Sequence, residues 1–198
     1  MDNFWDNRYS TDEFVYGKKP NAFFKSVIST IPPGKLLVPA AGEGRDAVYA
    51  AGLGWKVFAF DQSVIARQKA LRYAKEENVD IQYETKTITD FDFTVDTYDA
   101  IALTYFHLPL PTREIFHRNL QATLNQNGLI ILEAFNPKQI GNTSGGPADI
   151  SMLMTVDSLR REFSGLHIVE CVEEQIILSE GNGHSGKADV VRFIGKKV

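Results

Sequence analysis

Short apolar runs along the chain alternate with amphipathic stretches of helical period. "KLLVPAA" (35–41) lies between Pro-Pro-Gly and a glycine and reads as a strand. "GRDAVYAAGLG" (44–54) reads as a short helix stopped by Gly52 and Gly54. "KVFAFD" (56–61) is apolar on both faces, as a strand inside a parallel sheet should be. "SVIARQKALRYAKEENV" (63–79) carries apolar residues at helical spacing behind Ser63, a good N-cap. "IQYETKT" (81–87) and "YDAIALTYF" (98–106) read as the next strands. "PTREIFHRNLQATLNQN" (111–127) is a helix with proline in its first turn, and "GLIILEAF" (128–135) is a fifth strand.

The pattern then changes. A Gly/Pro/Asn-rich insert precedes a helix over 155–165. Two long strands, 166–178 and 187–197, follow without a helix between them, joined by "SEGNGHSG" as a hairpin. Alternating strand and helix ending in a hairpin predicts an open, mostly parallel α/β sheet with one antiparallel strand. In such sheets ligands sit beyond the carboxyl ends of the strands. Gly42, Asp61 and the segment 104–107 lie at such ends.

Composition narrows the partners. At 198 residues, with no repeat, low-complexity tract or long linker, the chain reads as a single domain, 1–198. The start, "MDNFWDNRYSTDEF", lacks the basic and apolar regions of a signal peptide, and no apolar run nears the ~20 residues that span a bilayer, so the expectation is a cytoplasmic protein with no membrane partner. One cysteine allows neither an intrachain disulfide nor a cysteine metal cluster, and no metal site is expected. A net charge of -4 without an Arg/Lys run argues against a nucleic-acid partner and for a small molecule. A monomer or weak homodimer is expected.

Gly42-Glu43-Gly44-Arg45-Asp46-Ala47 fits G-x-G-x-x-A, with Asp61 nineteen residues after Gly42. The spacing suits a nucleotide-type ligand: backbone approaches at the glycines and the acid accepts from ribose. It equally describes a tight turn with Asp61 as a cap. Within the nucleotide reading, a nicotinamide dinucleotide would put its pyrophosphate at a helix N-terminus that here carries Glu43 and Asp46. S-adenosylmethionine has a ribose, an adenine and an ammonium, and no phosphate.

These stretches resemble a known family. "LLVPAAGEGRDAVYAAGLGWKVFAFDQS" is similar to the first βαβ unit of class I S-adenosylmethionine-dependent methyltransferases. "VPAAGEGRDA" resembles the corresponding pattern of the thiopurine, thiol and halide group. "FWDNRYSTDEFVYGKKPNAFF" and "EGNGHSGKADVVRFIGKK" resemble the ends of the small tellurite-resistance type. The resemblance implies a Rossmann-like, seven-stranded, mostly parallel sheet with a C-terminal antiparallel hairpin and helices on both faces. It also implies a helical lid over 1–34 on a sheet core over 35–198, and methyl transfer from S-adenosylmethionine to a small molecule, a thiol or other soft nucleophile. Two departures stand out: Ala40 replaces the usual first glycine, and Val38 stands where many class I enzymes carry an acid.

The implied cofactor residues are Ala41, Gly42, Glu43 and Gly44 at the turn, with Asp61 on the ribose hydroxyls. Asp90 and Phe91 are placed at the adenine, with Gln62 beside it and Ser63 equally a cap. Asp90 reads just as well as an Asx-turn. Thr104 and Tyr105 border the cofactor after the fourth strand. Tyr9 and Tyr16 belong to the lid, or simply pack on the sheet, whereas Arg45 reads as a solvated residue at a helix start. His107 and His184 are the candidate general bases, needed only where the nucleophile arrives protonated. Two alternatives remain: an NAD-dependent oxidoreductase on the same Gly42–Asp61 geometry, or a non-catalytic S-adenosylmethionine-binding module.

Overall fold

The computed structural model describes residues 4–198. The chain divides into two compact units, one running to Phe91 and including Glu180–Gly183, the other comprising Asp92–Ser179 and His184–Val198.

The first unit holds α1 (Phe4–Tyr9), α2 (Ala22–Ile28), β1 (Lys35–Pro39), α3 (Arg45–Gly52), β2 (Lys56–Asp61), α4 (Val64–Glu76) and β3 (Gln82–Thr85). Its strands pair in parallel, Val38 beside Ala59 and Ala59 beside Tyr83. Leu36, Leu37 and Val38 are buried in succession, so both faces of β1 are covered. Among the described residues before β1, helix is confined to α1 and α2. Between them residues 10–21 form an irregular strap.

The start of α4 is doubly capped. Ser63 Oγ accepts from the Ala66 N–H (3.0 Å) and donates to Asp6 (2.6 Å), and Asp6 also accepts from the Ile65 N–H (3.3 Å). A carboxylate at a helix N-terminus satisfies orphan N–H groups and opposes the helix dipole favourably.

The second unit holds β4 (Tyr98–Thr104), α5 (Leu110–Ala122), β5 (Leu124–Phe135), α6 (Val156–Glu162), β6 (His167–Glu180) and β7 (His184–Lys196), with β6 ending in the first unit. β4 and β5 are parallel, and β5 and β7 antiparallel, Ile131 facing Ile194. The seven strands follow the order β3-β2-β1-β4-β5-β7-β6, which is the mostly parallel sheet with a terminal hairpin expected from the sequence. In its interior Arg113 chelates Glu162 and reaches the carbonyls of Ser151, Met152 and Leu153, while His117 Nδ1 meets Glu162 at 2.6 Å. The irregular chain after β5 is thereby tied to α5 and α6.

Two boundaries differ from the sequence reading. α5 stops at Ala122, because the Thr123 hydroxyl turns back to the Leu120 carbonyl (2.8 Å), and β5 begins at Leu124 rather than 128. The hairpin strands run further, to Glu180 and from His184, so His184 opens a strand instead of sitting in a loop. Among the described residues no helix is long and apolar enough to cross a membrane.

Candidate functional site

At the carboxyl end of β1 the chain must turn sharply, and it does so through left-handed backbone at Ala40 (φ 48) and Gly42 (φ 54), then Gly44 (φ 85) as the N-cap of α3. Glycine is free to adopt this conformation; alanine adopts it at a cost. A Cβ on Gly44 would stand 2.6 Å from the Ala70 Cβ, so the residue also lets α3 lie against α4. The Ala41 N–H donates to the Phe60 carbonyl (3.0 Å) and the Gly44 N–H to the Ala41 carbonyl (3.0 Å). Tyr83, from β3, donates its buried hydroxyl to the Gly42 carbonyl at 2.6 Å. The turn is held from both sides.

Asp61 ends β2 beside this turn. One carboxylate oxygen accepts from the Gly42 N–H (3.0 Å), the other from the Ser63 N–H (2.9 Å). Its pKa is raised, first by burial, and the charge of Asp6 adds to the rise while the backbone amides oppose it. The group is thus a buried carboxylate satisfied by neutral amides. Beyond the amides of Gly42, Ser63 and Gln62 the carboxylate keeps acceptor capacity for hydroxyl donors.

The acids of the turn face inward. Glu43 accepts from the Val15 N–H (2.8 Å) and forms an ion pair with Lys69 (2.5 Å). Asp46 accepts from the Asn21 N–H at 2.7 Å. Arg45, expected in solvent, is only 9% exposed: it donates to the Tyr16 carbonyl (3.1 Å) and pairs with Glu180 (2.9 Å). The reason is the strap, whose carbonyls and amides need partners and find them in these charges.

Tyr9 is buried, with its hydroxyl 2.9 Å from where a Gly42 Cβ would lie; Trp5 stacks on it (5.6 Å) and Tyr16 meets it edge-on (6.4 Å). Burial and the nearby Asp61 raise the Tyr9 pKa well above its usual value, so its hydroxyl stays protonated. The structure therefore brings Tyr9, Tyr16, Ala41, Gly42, Glu43, Gly44 and Asp61 together in the first unit. Gln62 follows Asp61 but is exposed. Asp90 is exposed and accepts from the Thr87 hydroxyl (2.6 Å) and N–H (3.2 Å), closing its own turn; those bonds lower its pKa. Phe91 is buried and stacks on Phe60 at 4.9 Å.

The second unit holds the other expected residues. Thr104 ends β4 half-buried, and Tyr105 follows in left-handed backbone (φ 50). The Tyr105 hydroxyl donates to Glu133 (2.8 Å), which also accepts from Arg192 (2.6 Å). His184, 6% exposed, meets the Tyr105 ring edge-on at 4.4 Å. His107 accepts the Phe135 N–H at Nε2 (3.1 Å), so its Nδ1–H donates to the Tyr105 carbonyl (3.0 Å). Burial lowers its pKa to about 4. The imidazole is a neutral staple with both nitrogens engaged.

Sequence reasoning missed Tyr83 and Lys69. The signal for Lys69 was present. It lies among Ala66, Ala70 and Tyr73 on the buried stripe of α4, where an ammonium must have partners. Among the described residues no group of three or more His, Cys, Asp or Glu could hold a metal ion.

Residues 37–128 match the family described as methyltransferase domain. The chain is 26% identical over 154 residues to the tRNA (uracil(54)-C(5))-methyltransferase of Pyrococcus horikoshii, a match covering 70% of this chain and 36% of that one. It thus spans about a third of the length of the curated relatives it matches. Among solved structures, TehB from Haemophilus influenzae superposes with a TM-score of 0.74 at 18% identity, over 99% of this chain and 66% of that one. Magnesium protoporphyrin IX methyltransferase from Synechocystis PCC 6803, with bound SAH, gives 0.70 at 15% identity, over 98% and 93%. These identities show a shared fold. Over residues 37–128 the domain match agrees with the resemblance read from the sequence, and the superposition on TehB shows the same fold.

Proposed function

We propose that this chain, whose residues 37–128 match a methyltransferase domain and which has the class I methyltransferase fold, is an S-adenosylmethionine-dependent enzyme acting on a small soft nucleophile such as a thiol. The cofactor is S-adenosylmethionine. The observation that carries the reading is Asp61: a buried carboxylate with neutral partners and spare lone pairs fits the two hydroxyl donors of a ribose. Gly42, whose Cβ would crowd Tyr9, lets the backbone lie close to the ligand. Asp46 in the first turn of α3 opposes a pyrophosphate at that helix start, which weighs against a dinucleotide.

S-adenosylmethionine supplies a methyl group on a cationic sulfur, so its transfer is an in-line displacement. Positioning does most of the work. Asp61 and the Gly42 turn orient the cofactor, and Tyr9 at the end of α1 with Tyr16 of the strap excludes water. His107 has no free lone pair, which favours an acceptor that arrives already ionised, as a thiolate does. His184 is the remaining candidate base. The curated relatives act on tRNA, and this chain covers only about a third of them; its net charge of -4 favours a small acceptor over RNA.

The test is production of S-adenosylhomocysteine with small thiols, selenite, tellurite, alcohols, amines and tRNA offered separately. Turnover with thiols is expected, falling about 100-fold in kcat/KM in Asp61→Ala, as befits two lost charge-assisted hydrogen bonds. Turnover with tRNA alone would overturn the acceptor, and binding with no turnover on any acceptor would leave only a cofactor-binding module.

A further inference from the structure

Lys69 projects from α4 into the body of the first unit, with only 6% of its side chain exposed. A buried ammonium is costly unless its three N–H groups are all met. Its own helix offers it nothing. The partners are the carbonyls of Thr11 (2.8 Å), Glu13 (2.6 Å) and, at longer range, Tyr9 (3.4 Å), together with the Glu43 carboxylate (2.5 Å). Glu43 uses its second oxygen to hold the Val15 N–H at 2.8 Å. One buried ion pair therefore grips Tyr9 at the end of α1, strap residues 11, 13 and 15, and the turn between Gly42 and Gly44. Displacing the strap would leave Lys69 without its carbonyls and Glu43 without its amide, so strap docking and the satisfaction of this pair are a single event. The same stretch sets the Tyr9 hydroxyl against Gly42.

We propose that Lys69 is a positioning residue for cofactor binding: paired with Glu43, it latches residues 9–15 onto the Gly42 turn, and the site at Gly42 and Asp61 is complete only with the latch closed. The inference rests on the reading of that site as the S-adenosylmethionine site. Lys69 touches no reacting atom and acts through Glu43 and the strap backbone.

A reporter lies beside the strap, on α1. Trp5 stacks on Tyr9, and the only other tryptophan, Trp55, is buried. Acrylamide quenching of the full chain, with Trp5→Phe identifying the Trp5 signal, reads the latch. Calorimetric titration with S-adenosylhomocysteine reads the site. In Lys69→Met, Trp5 quenching is expected to rise as Tyr9 loosens, with α1 still tied to α4 through Asp6, and the Kd to rise at least tenfold, with circular dichroism and a cooperative melt retained. Lys69→Arg, which keeps the charge and the donors, should recover most of both. Should Lys69→Met fail to fold, amide exchange in the wild-type chain decides: the Val15 N–H should exchange at least tenfold more slowly with S-adenosylhomocysteine bound. Unchanged Trp5 quenching and a Kd within twofold in Lys69→Met, or unchanged Val15 exchange, would overturn the proposal. If the wild-type chain does not bind S-adenosylhomocysteine at all, the cofactor reading fails, while Trp5 exposure in Lys69→Met still reports whether Lys69 holds the strap.

Discussion

Ala40 and Tyr105 hold left-handed backbone at the ends of β1 and β4, where an L-residue is strained. For Ala40 the strain is removable. Ala40→Gly is predicted to raise stability by about 0.5–1 kcal/mol, the relief of strain outweighing the added freedom of the unfolded chain. In a chain of this size that is roughly 1–4 °C in Tm by calorimetry, and a lowered Tm would contradict it. His107 makes a second prediction. Its pKa of about 4 lies below the ~6.5 of an unfolded histidine, so on acidification the unfolded chain takes up the proton first. The stability contribution is whole above about pH 6.5 and is lost as pH falls towards 4, by up to about 3 kcal/mol. His117, also lowered by burial, acts in the same sense. Asp61, whose pKa is raised, acts in the opposite one. Urea unfolding at pH 7 and pH 5 checks the balance: stability should drop, with less of a drop in His107→Gln, and equal values at both pH would contradict the assignment.

At the scale of elements, the periodicities marked every strand and the longer helices, because each reports a face turned to a core. Where a local side chain decided the ending, the reading slipped: Thr123 stops α5 early and lets β5 start at Leu124. The strap was legible only as an aromatic segment. Its anchors, Glu43, Arg45, Asp46 and Lys69, meet it across 25 to 60 residues of sequence, a separation to which no local pattern is sensitive. Asp61 and Gly42 were readable because strand ends and glycine spacing are local signals. His107 was not. A histidine after a strand looks like a base until the Phe135 N–H is seen to fill its lone pair.

Across the whole molecule, a mostly parallel sheet with a terminal hairpin and a glycine turn beside a buried acid bear on one claim, that Gly42 and Asp61 hold an adenosyl-sulfur cofactor. Its most direct test is thermal unfolding with S-adenosylhomocysteine, S-adenosylmethionine and NADH added separately to the wild-type chain and to Asp61→Ala. At about 100 times the Kd, a ligand stabilises by ~2.7 kcal/mol, or roughly 5–10 °C here. The account predicts that shift with both adenosyl-sulfur ligands, none with NADH, and its loss in Asp61→Ala. A shift with NADH alone, or an S-adenosylhomocysteine shift that survives Asp61→Ala, would contradict it.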